Sequence, residues 1–246
     1  MTAAPPTFRV IVPMYDEEAV AETSVRLVST ALATYGERAG LIVVDDGSRD
    51  GTRTILRRLA RELPKLRYVE REANGGYGAA LRSGVERAVT EGADYVVFMD
   101  SDLTNDPADL PKFVAAMESG ADVIKATRFR RGGGMRGIPW QRRAISVAGN
   151  VVAAALFRIG VRDCTNGFRA VRTELLQRMH LRERGFAVIV EELWWCKALG
   201  ARFIEVPVVL TSRTQALRPT AFQYQPDVFR TYLRYALLSA RGIRPA

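Results

Sequence analysis

The 246-residue sequence predicts an α/β protein: a doubly wound, mostly parallel, Rossmann-like sheet flanked by helices. Three observations carry that expectation. Short apolar runs alternate with amphipathic stretches of helical length, and a β-α-β-α order implies parallel strands joined by right-handed crossovers. The runs Leu41-Ile42-Val43-Val44 and Tyr95-Val96-Val97-Phe98-Met99 show no polar alternation, as expected of strands buried on both faces. Acidic residues follow three of the strands, at the carboxyl ends where open α/β sheets bind ligands.

The elements follow in order. Phe8 to Pro13 reads as the first strand, closed by its proline. Glu17 to Tyr35 has helical apolar spacing, and Leu41 to Val44 is the second strand. Thr52 to Leu63 reads as a helix stopped by Pro64, and Leu66 to Val69 as the third strand. Gly78 to Glu91 is helical, Tyr95 to Met99 is the fourth strand, Ala108 to Ser119 is a helix and Asp122 to Ala126 the fifth strand.

A composition of 48% hydrophobic and 26% charged residues is that of a globular chain long enough for a large core. No apolar run reaches the ~18 residues of a spanning helix, so no transmembrane domain is expected. The longest run, Ala144 to Phe157, is interrupted by Ser146 and Asn150. Met1 to Pro6 lacks the basic-then-apolar pattern of a signal peptide, and with only two cysteines a reducing cytoplasm is the expected compartment. Two cysteines, Cys164 and Cys196, are too few for a disulfide scaffold or a four-ligand zinc site. His180 is the single histidine, and any Ser-His-Asp triad would have to run through it.

The net charge of +9 is unevenly spread. Residues 123–162 carry nine basic and no acidic side chains, and eight of the nine are arginine. Arginine favours bidentate contact with phosphate, so this segment predicts an anionic partner. Nucleic acid is not expected as that partner: the basic stretches lack interleaved aromatic platforms, and no helix-turn-helix or zinc pattern occurs.

The strand ends carry Pro13-Met14-Tyr15-Asp16-Glu17, then Asp45-Asp46-Gly47-Ser48-Arg49-Asp50-Gly51, then Asp100-Ser101-Asp102. Acids gathered at neighbouring strand ends repel unless a cation or hydrogen-bond donors sit among them. Asp100 and Asp102 can turn toward one hard cation, and magnesium takes one or two carboxylates together with substrate phosphates. Asp45, Asp46 and Asp50 can also serve as turn and cap residues for the helix at Thr52.

Together with Asn74-Gly75-Gly76-Tyr77-Gly78, Ala126-Thr127-Arg128, Arg142 to Ser146, Asp163-Cys164-Thr165-Asn166-Gly167-Phe168-Arg169 and Glu205-Val206-Pro207 followed by Arg213, these motifs resemble family-two glycosyltransferases of GT-A fold. More narrowly, they resemble the dolichol-phosphate mannose synthase and polyprenyl-phosphate glycosyltransferase group, in unbroken order over roughly residues 8 to 213. The resemblance implies a catalytic domain over 1–212 and an acceptor loop with a basic amphipathic tail over 213–246. It implies that Pro13, Tyr15 and Glu17 border the nucleotide base and that Asp46, with Asp45 beside it, hydrogen-bonds the base. Gly76 would let the backbone approach the nucleotide. Asp100 and Asp102 would hold Mg2+ or Mn2+ and the sugar diphosphate. Arg128, Arg142, Ser146 and Arg213 would grip phosphate, with Asp102, Arg128 and Arg142 carrying catalysis. Three departures stand out. Thr104 replaces a glutamine that is often a further metal ligand, Asp16 stands where asparagine is usual, and Ala216-Leu217-Arg218-Pro219 replaces the usual sequence after Arg213.

The implied reaction moves a sugar from a nucleotide sugar (GDP-mannose or a UDP-sugar) to polyprenyl or dolichyl phosphate. The metal stabilises the leaving diphosphate as a Lewis acid. A lipid monophosphate, with its second pKa near ~6, is already an anionic nucleophile at neutral pH and needs no base. A single displacement with inversion is expected. A transferase acting on a hydroxyl would instead need a carboxylate base, for which Asp163, Glu191 or Glu192 is available. A sugar-nucleotide pyrophosphorylase would need a glycine-rich loop after the first strand, where Met14-Tyr15-Asp16-Glu17 stands. A dinucleotide oxidoreductase would need G-x-G-x-x-G, which Gly76-Tyr77-Gly78 does not complete.

Two segments can lie on a membrane surface. Ile138 to Phe157 has Arg142 and Arg143 at one end. Pro226 to Arg241 places Phe229, Leu233, Ala236 and Leu237 on one helical stripe and Arg230, Arg234 and Arg241 on another face. The alternative for the second segment is a helix packed on the core, and for Trp140, Trp194 and Trp195 a place in the core or at an interface.

Overall fold

A computed structural model describes residues 4–212 and 226–245. Its centre is a seven-stranded sheet in the order β3-β2-β1-β4-β7-β5-β8. The strands are β1 (Phe8–Met14), β2 (Ala39–Asp45), β3 (Leu66–Glu70), β4 (Tyr95–Phe98), β5 (Val123–Thr127), β7 (Arg169–Arg172) and β8 (Phe203–Pro207). All neighbours are parallel except β7, which runs antiparallel between β4 and β5. A second, two-stranded sheet pairs β6 (Gly134–Met135) with β9 (Val209–Leu210).

Strand alternation sorts the core into two faces. Val10, Val12, Leu41 and Val43 pack with Val25, Val28, Leu56, Leu59 and Phe113 from α1 (Ala21–Ala33), α2 (Thr52–Glu62) and α4 (Leu110–Glu118). Ile11, Ile42, Val44 and Phe98 face the other way, onto α3 (Tyr77–Thr90), α6 (Thr173–Gln177) and α7 (Val188–Ala198). Beyond α7 lie α5 (Trp140–Phe157) and α8 (Pro226–Ala240), sharing a third apolar cluster of Phe157, Val190, Leu193, Tyr235 and Ala236.

The five expected strands and the helices between them are present, with two differences. The first helix begins at Ala21, not Glu17: residues 17–20 form a turn in which the Glu17 carbonyl accepts the N–H groups of Val20 and Ala21. β1 runs one residue past Pro13. Its pairing with β4 stops at Ile11 opposite Phe98, so the proline meets no ladder on that side.

α8 resolves the choice between core and surface by doing both. Tyr235, Ala236 and Ser239 are buried, whereas Phe229, Leu233 and Leu237 are exposed. Ala236 therefore does not share the exposed stripe expected of it. Trp195 is buried and Trp194 donates its indole N–H to the Ile243 carbonyl at 2.7 Å, but Trp140 is 73% exposed. No helix among the described residues is long and apolar enough to cross a membrane.

Candidate active site

The carboxyl ends of β1, β2, β4 and β5 open into a cavity of about 1090 Å³. Pro13, Tyr15, Glu17, Asp46, Gly76, Asp100, Asp102, Arg128, Arg142 and Ser146 all line it, so ten of the expected site residues come together. Arg213 and the 216–219 segment lie outside the described residues.

Asp45 and Asp46 diverge because neighbours on a strand point to opposite faces. Asp45 is fully buried away from the cavity lining. It accepts the Ser48 N–H and the Arg53 Nε, both at 3.0 Å. That is the turn-holding role, not contact with a base. Asp46 turns to the cavity and accepts from Arg71 Nε at 2.7 Å and from the N–H groups of Gly75 and Gly76 at 3.0 and 2.8 Å. Arg71 has no place in the sequence reading, although its position just past β3 was the signal that could have found it. Asp50 accepts the Thr52 N–H at 3.0 Å at the start of α2. Asp16 occupies the left-handed region with φ 51°, a conformation that aspartate and asparagine tolerate better than most residues. It accepts the Arg49 N–H at 2.6 Å.

Gly76 caps α3 with φ 90°, and a Cβ there would come 2.5 Å from the Arg184 carbonyl oxygen. The close approach that demands glycine is thus to the protein's own 183–184 loop. Next to it, Tyr77 stacks on Phe186 and donates to Asp100 Oδ1 at 3.1 Å. Burial, and then the Asp100 charge, push the Tyr77 phenol well above its ordinary value of 10.0, so it stays a donor.

Asp102 Oδ1 accepts both the N–H and the hydroxyl of Thr104, at 3.1 and 2.8 Å. Thr104 therefore orients Asp102. On the far side of Asp100, a Cβ at position 167 would meet Asp100 Oδ2 at 2.7 Å, so Gly167 is what makes room for that carboxylate. Two carboxylates and no third acid fit a magnesium-type ion, which completes its shell with phosphate oxygens and water. Among the described residues no group of three or more His, Cys, Asp or Glu is arranged to hold a metal without such a ligand.

The arginine-rich segment is less uniform than its composition implied. Arg128 forms a two-point pair with the fully buried Asp163, Nε and Nη2 each 2.7 Å from a carboxylate oxygen. Arg130 pairs with Glu205 at 2.6 Å. Lys125 is fully buried in the sheet and donates to the Asn166 carbonyl at 2.7 Å; burial, and then Arg169, bring it down to about 8. Of this segment's cations, Arg128 and Arg142 line the cavity.

Neither glutamate of α7 does so. Glu192 is buried in a two-point pair with Arg169, at 2.7 and 2.9 Å, and Arg169 also lies 4.2 Å from the Phe98 ring centre. Glu191 accepts the N–H groups of Arg182 and Glu183, and burial raises its carboxyl above the ordinary 4.5. His180 is exposed, edge-on to Trp195. The far wall of the cavity is apolar: Ile145, Val152 and Ala153 of α5 face Phe229, Leu233 and Ala236 of α8.

Residues 9–179 match the family described as glycosyl transferase family 2. The chain belongs to that family. The protein is a glycosyltransferase, and its mostly parallel, helix-flanked sheet is the GT-A fold. It is 32% identical over 208 residues to a polyprenol monophosphomannose synthase of Mycolicibacterium smegmatis, covering 83% of this chain and 77% of the relative. It is 30% identical to an undecaprenyl-phosphate mannosyltransferase of Micrococcus luteus, covering 82% and 83%. Among solved structures, a glucosyl-3-phosphoglycerate synthase of Mycobacterium tuberculosis in complex with Mn2+, UDP-glucose and phosphoglyceric acid superposes with a TM-score of 0.66 at 27% identity. The match covers 98% of this glycosyltransferase and 81% of that chain.

Proposed function

We propose that this glycosyltransferase moves a hexose from a nucleotide sugar to a polyprenyl phosphate, with inversion at the anomeric carbon and with Mg2+ or Mn2+ at the Asp100–Asp102 loop. The observation that carries the reading is a single cavity with two unlike walls. An acidic, hydrogen-bonded wall suits a metal-bound nucleoside diphosphate. An apolar wall on α5 and α8 suits an isoprenoid, and Arg128 and Arg142 line the same cavity. The names of the two mannosyl-transferring relatives favour mannose and a polyprenyl acceptor. The solved relative's UDP-glucose keeps a UDP-sugar as the second donor.

A metal bound by Asp100 and Asp102 would supply Lewis-acid stabilisation of the departing diphosphate. The chain's own residues supply the rest. Asp46, held by Arg71 and two backbone N–H groups, presents a fixed carboxylate beside Pro13, Tyr15 and Glu17, where the base would sit. Arg128, aimed by Asp163, and Arg142, with Ser146 one turn along α5, offset the repulsion between two anionic substrates and align the attacking phosphate oxygen. Arg213 is assigned to the same phosphate.

The hydroxyl-acceptor reading is weakened by the fate of its candidate bases. Asp163 is committed to Arg128, and Glu191 and Glu192 are buried off the cavity. A peripheral seat on the cytoplasmic membrane face belongs to the same proposal, and the apolar faces of α5 and α8, flanked by the exposed Arg142, Arg143, Arg230 and Arg234, support it.

The deciding experiment incubates the protein with GDP-mannose or UDP-sugars and polyprenyl phosphate, with and without a chelator. A metal-dependent glycosyl phospholipid of inverted configuration by NMR is expected. Retention, or transfer only to hydroxyl acceptors, would refute the proposal.

A further inference from the structure

The turn 165–168 runs between the two sides of the cavity, and its second residue holds an unused donor. Asn166 is 5% exposed and lines the cavity. Its Oδ1 accepts the Phe168 N–H at 3.0 Å, which fixes the amide's orientation and makes Nδ2 the remaining polar atom. That Nδ2 is buried with no hydrogen-bond partner among the described residues. The turn around it is tied down from every side. Thr165 accepts from Arg128 at 3.1 Å, and Gly167 abuts Asp100. The carbonyls of Asn166 and Gly167 accept from Lys125 and Arg169, two fully buried cations, at 2.7 and 2.8 Å. A second orphan belongs to another residue of the cavity lining. Asn105, 4% exposed and next to the Thr104 that orients Asp102, has a buried Oδ1 with no donor among the described residues.

A buried polar atom without a partner costs about as much as a broken hydrogen bond, and native structures keep few of them. We propose that Asn166 and Asn105 recognise the transferred hexose itself, Asn166 Nδ2 donating to one sugar hydroxyl and Asn105 Oδ1 accepting from another. This inference rests on the donor reading above. Two arguments select the hexose. Position is the first: Asn166 lies between Thr165, on the Arg128 side, and Gly167, on the Asp100 side, and the hexose is what lies between acceptor phosphate and donor diphosphate. Hydrogen-bond polarity is the second. Sugar hydroxyls both donate and accept, so two of them can satisfy Asn166 Nδ2 and the buried amide atom of Asn105 together. The pair therefore selects among hexoses by the placement of their hydroxyls, as sites built to bond a hydroxyl reject analogues lacking it.

Calorimetric binding of GDP against GDP-mannose, and of UDP against UDP-glucose, with Mg2+ present, tests this. Asn166→Asp keeps the acceptor for the Phe168 N–H and removes the donor. Its added charge weakens nucleotide and nucleotide sugar alike, so the ratio of the two dissociation constants isolates the sugar. That ratio should fall about tenfold in Asn166→Asp and in Asn105→Leu. In the unaltered protein, at least one monodeoxy analogue of the bound nucleotide sugar should bind about tenfold more weakly than its parent, a result that needs no variant to fold. Unchanged ratios in both variants, or equal affinity across the monodeoxy series, would overturn the inference and leave the donor reading standing. Failure of the unaltered protein to bind any of the four nucleotides would overturn both.

Discussion

The two walls of the cavity are built on opposite plans. On the strand-end wall, Asp46 has three donors within 3.0 Å, Asp102 has two from Thr104, and Asp16 is locked by the Arg49 N–H. On the helical wall, α5 and α8 join through Phe157, Tyr235 and Ala236 but leave Ile145 44% exposed and Val152 51% exposed. Preorganised polar groups suit a ligand whose charges must be met at fixed points. An exposed apolar face suits one without internal landmarks, such as an isoprenoid or a bilayer, where area counts more than placement. One wall reads chemistry; the other supplies an environment.

The largest expected effect falls between the walls, at the buried pair under the turn 165–168. Glu192→Gln leaves the Arg169 guanidinium without its counter-charge and should cost about 3–5 kcal/mol in denaturant unfolding. A loss below about 1 kcal/mol would mean that other contacts hold the turn. Asp102→Ala strikes the polar wall alone. It should lower kcat/KM about 10²–10³-fold while vesicle flotation is unchanged, and near-normal turnover would remove the metal assignment.

Lys125 gives a smaller, pH-dependent signal. Its folded value of about 8 lies below the ordinary 10.5, so between these limits the unfolded chain binds more protons and stability should rise with pH. Lys125→Met should abolish that increment, seen as a difference in Tm between variant and parent that narrows from pH 8 to 10.5. If the gap stays constant across the window, the amine does not titrate there. The smallest effect on stability, within about 0.5 kcal/mol, is expected for Val151→Glu on the exposed face of α5. The same change should weaken flotation with anionic vesicles while sparing nucleotide binding. Undiminished flotation would rule this face of α5 out of membrane contact.

The same contrast governs what was legible in the sequence. The polar wall was, because parallel strands announce themselves as unbroken apolar runs and their carboxyl ends carry the ligand groups. Asp46, Asp100 and Asp102 follow from that rule, whereas Gly76, at the start of α3, came only with the family resemblance. β7 was not. Arg-Ala-Val-Arg has too few apolar residues to register as a strand, and its two arginines find partners only in three dimensions. Lys125 misled for the same reason: counted with the surface arginines, it lies beside Arg169 in the β5–β7 register, inside the sheet. Asp45 and Asp46 looked alike on paper, and only the pleat sends one to Arg53 and the other to the cavity. Helical periodicity showed α8 to be amphipathic but not which apolar residues its neighbours would cover.

The antiparallel strand also orders assembly in time. β3, β2, β1 and β4 can pair as soon as residue 98 has left the ribosome, but β5 has no neighbour until β7 has been made. A nascent chain halted before residue 169 would hold a four-stranded half-sheet with β4 bare and β5 unmatched, open edges that invite pairing with other chains. Synthesis of four residues, 169 to 172, closes that window and brings the two halves of the catalytic cleft together.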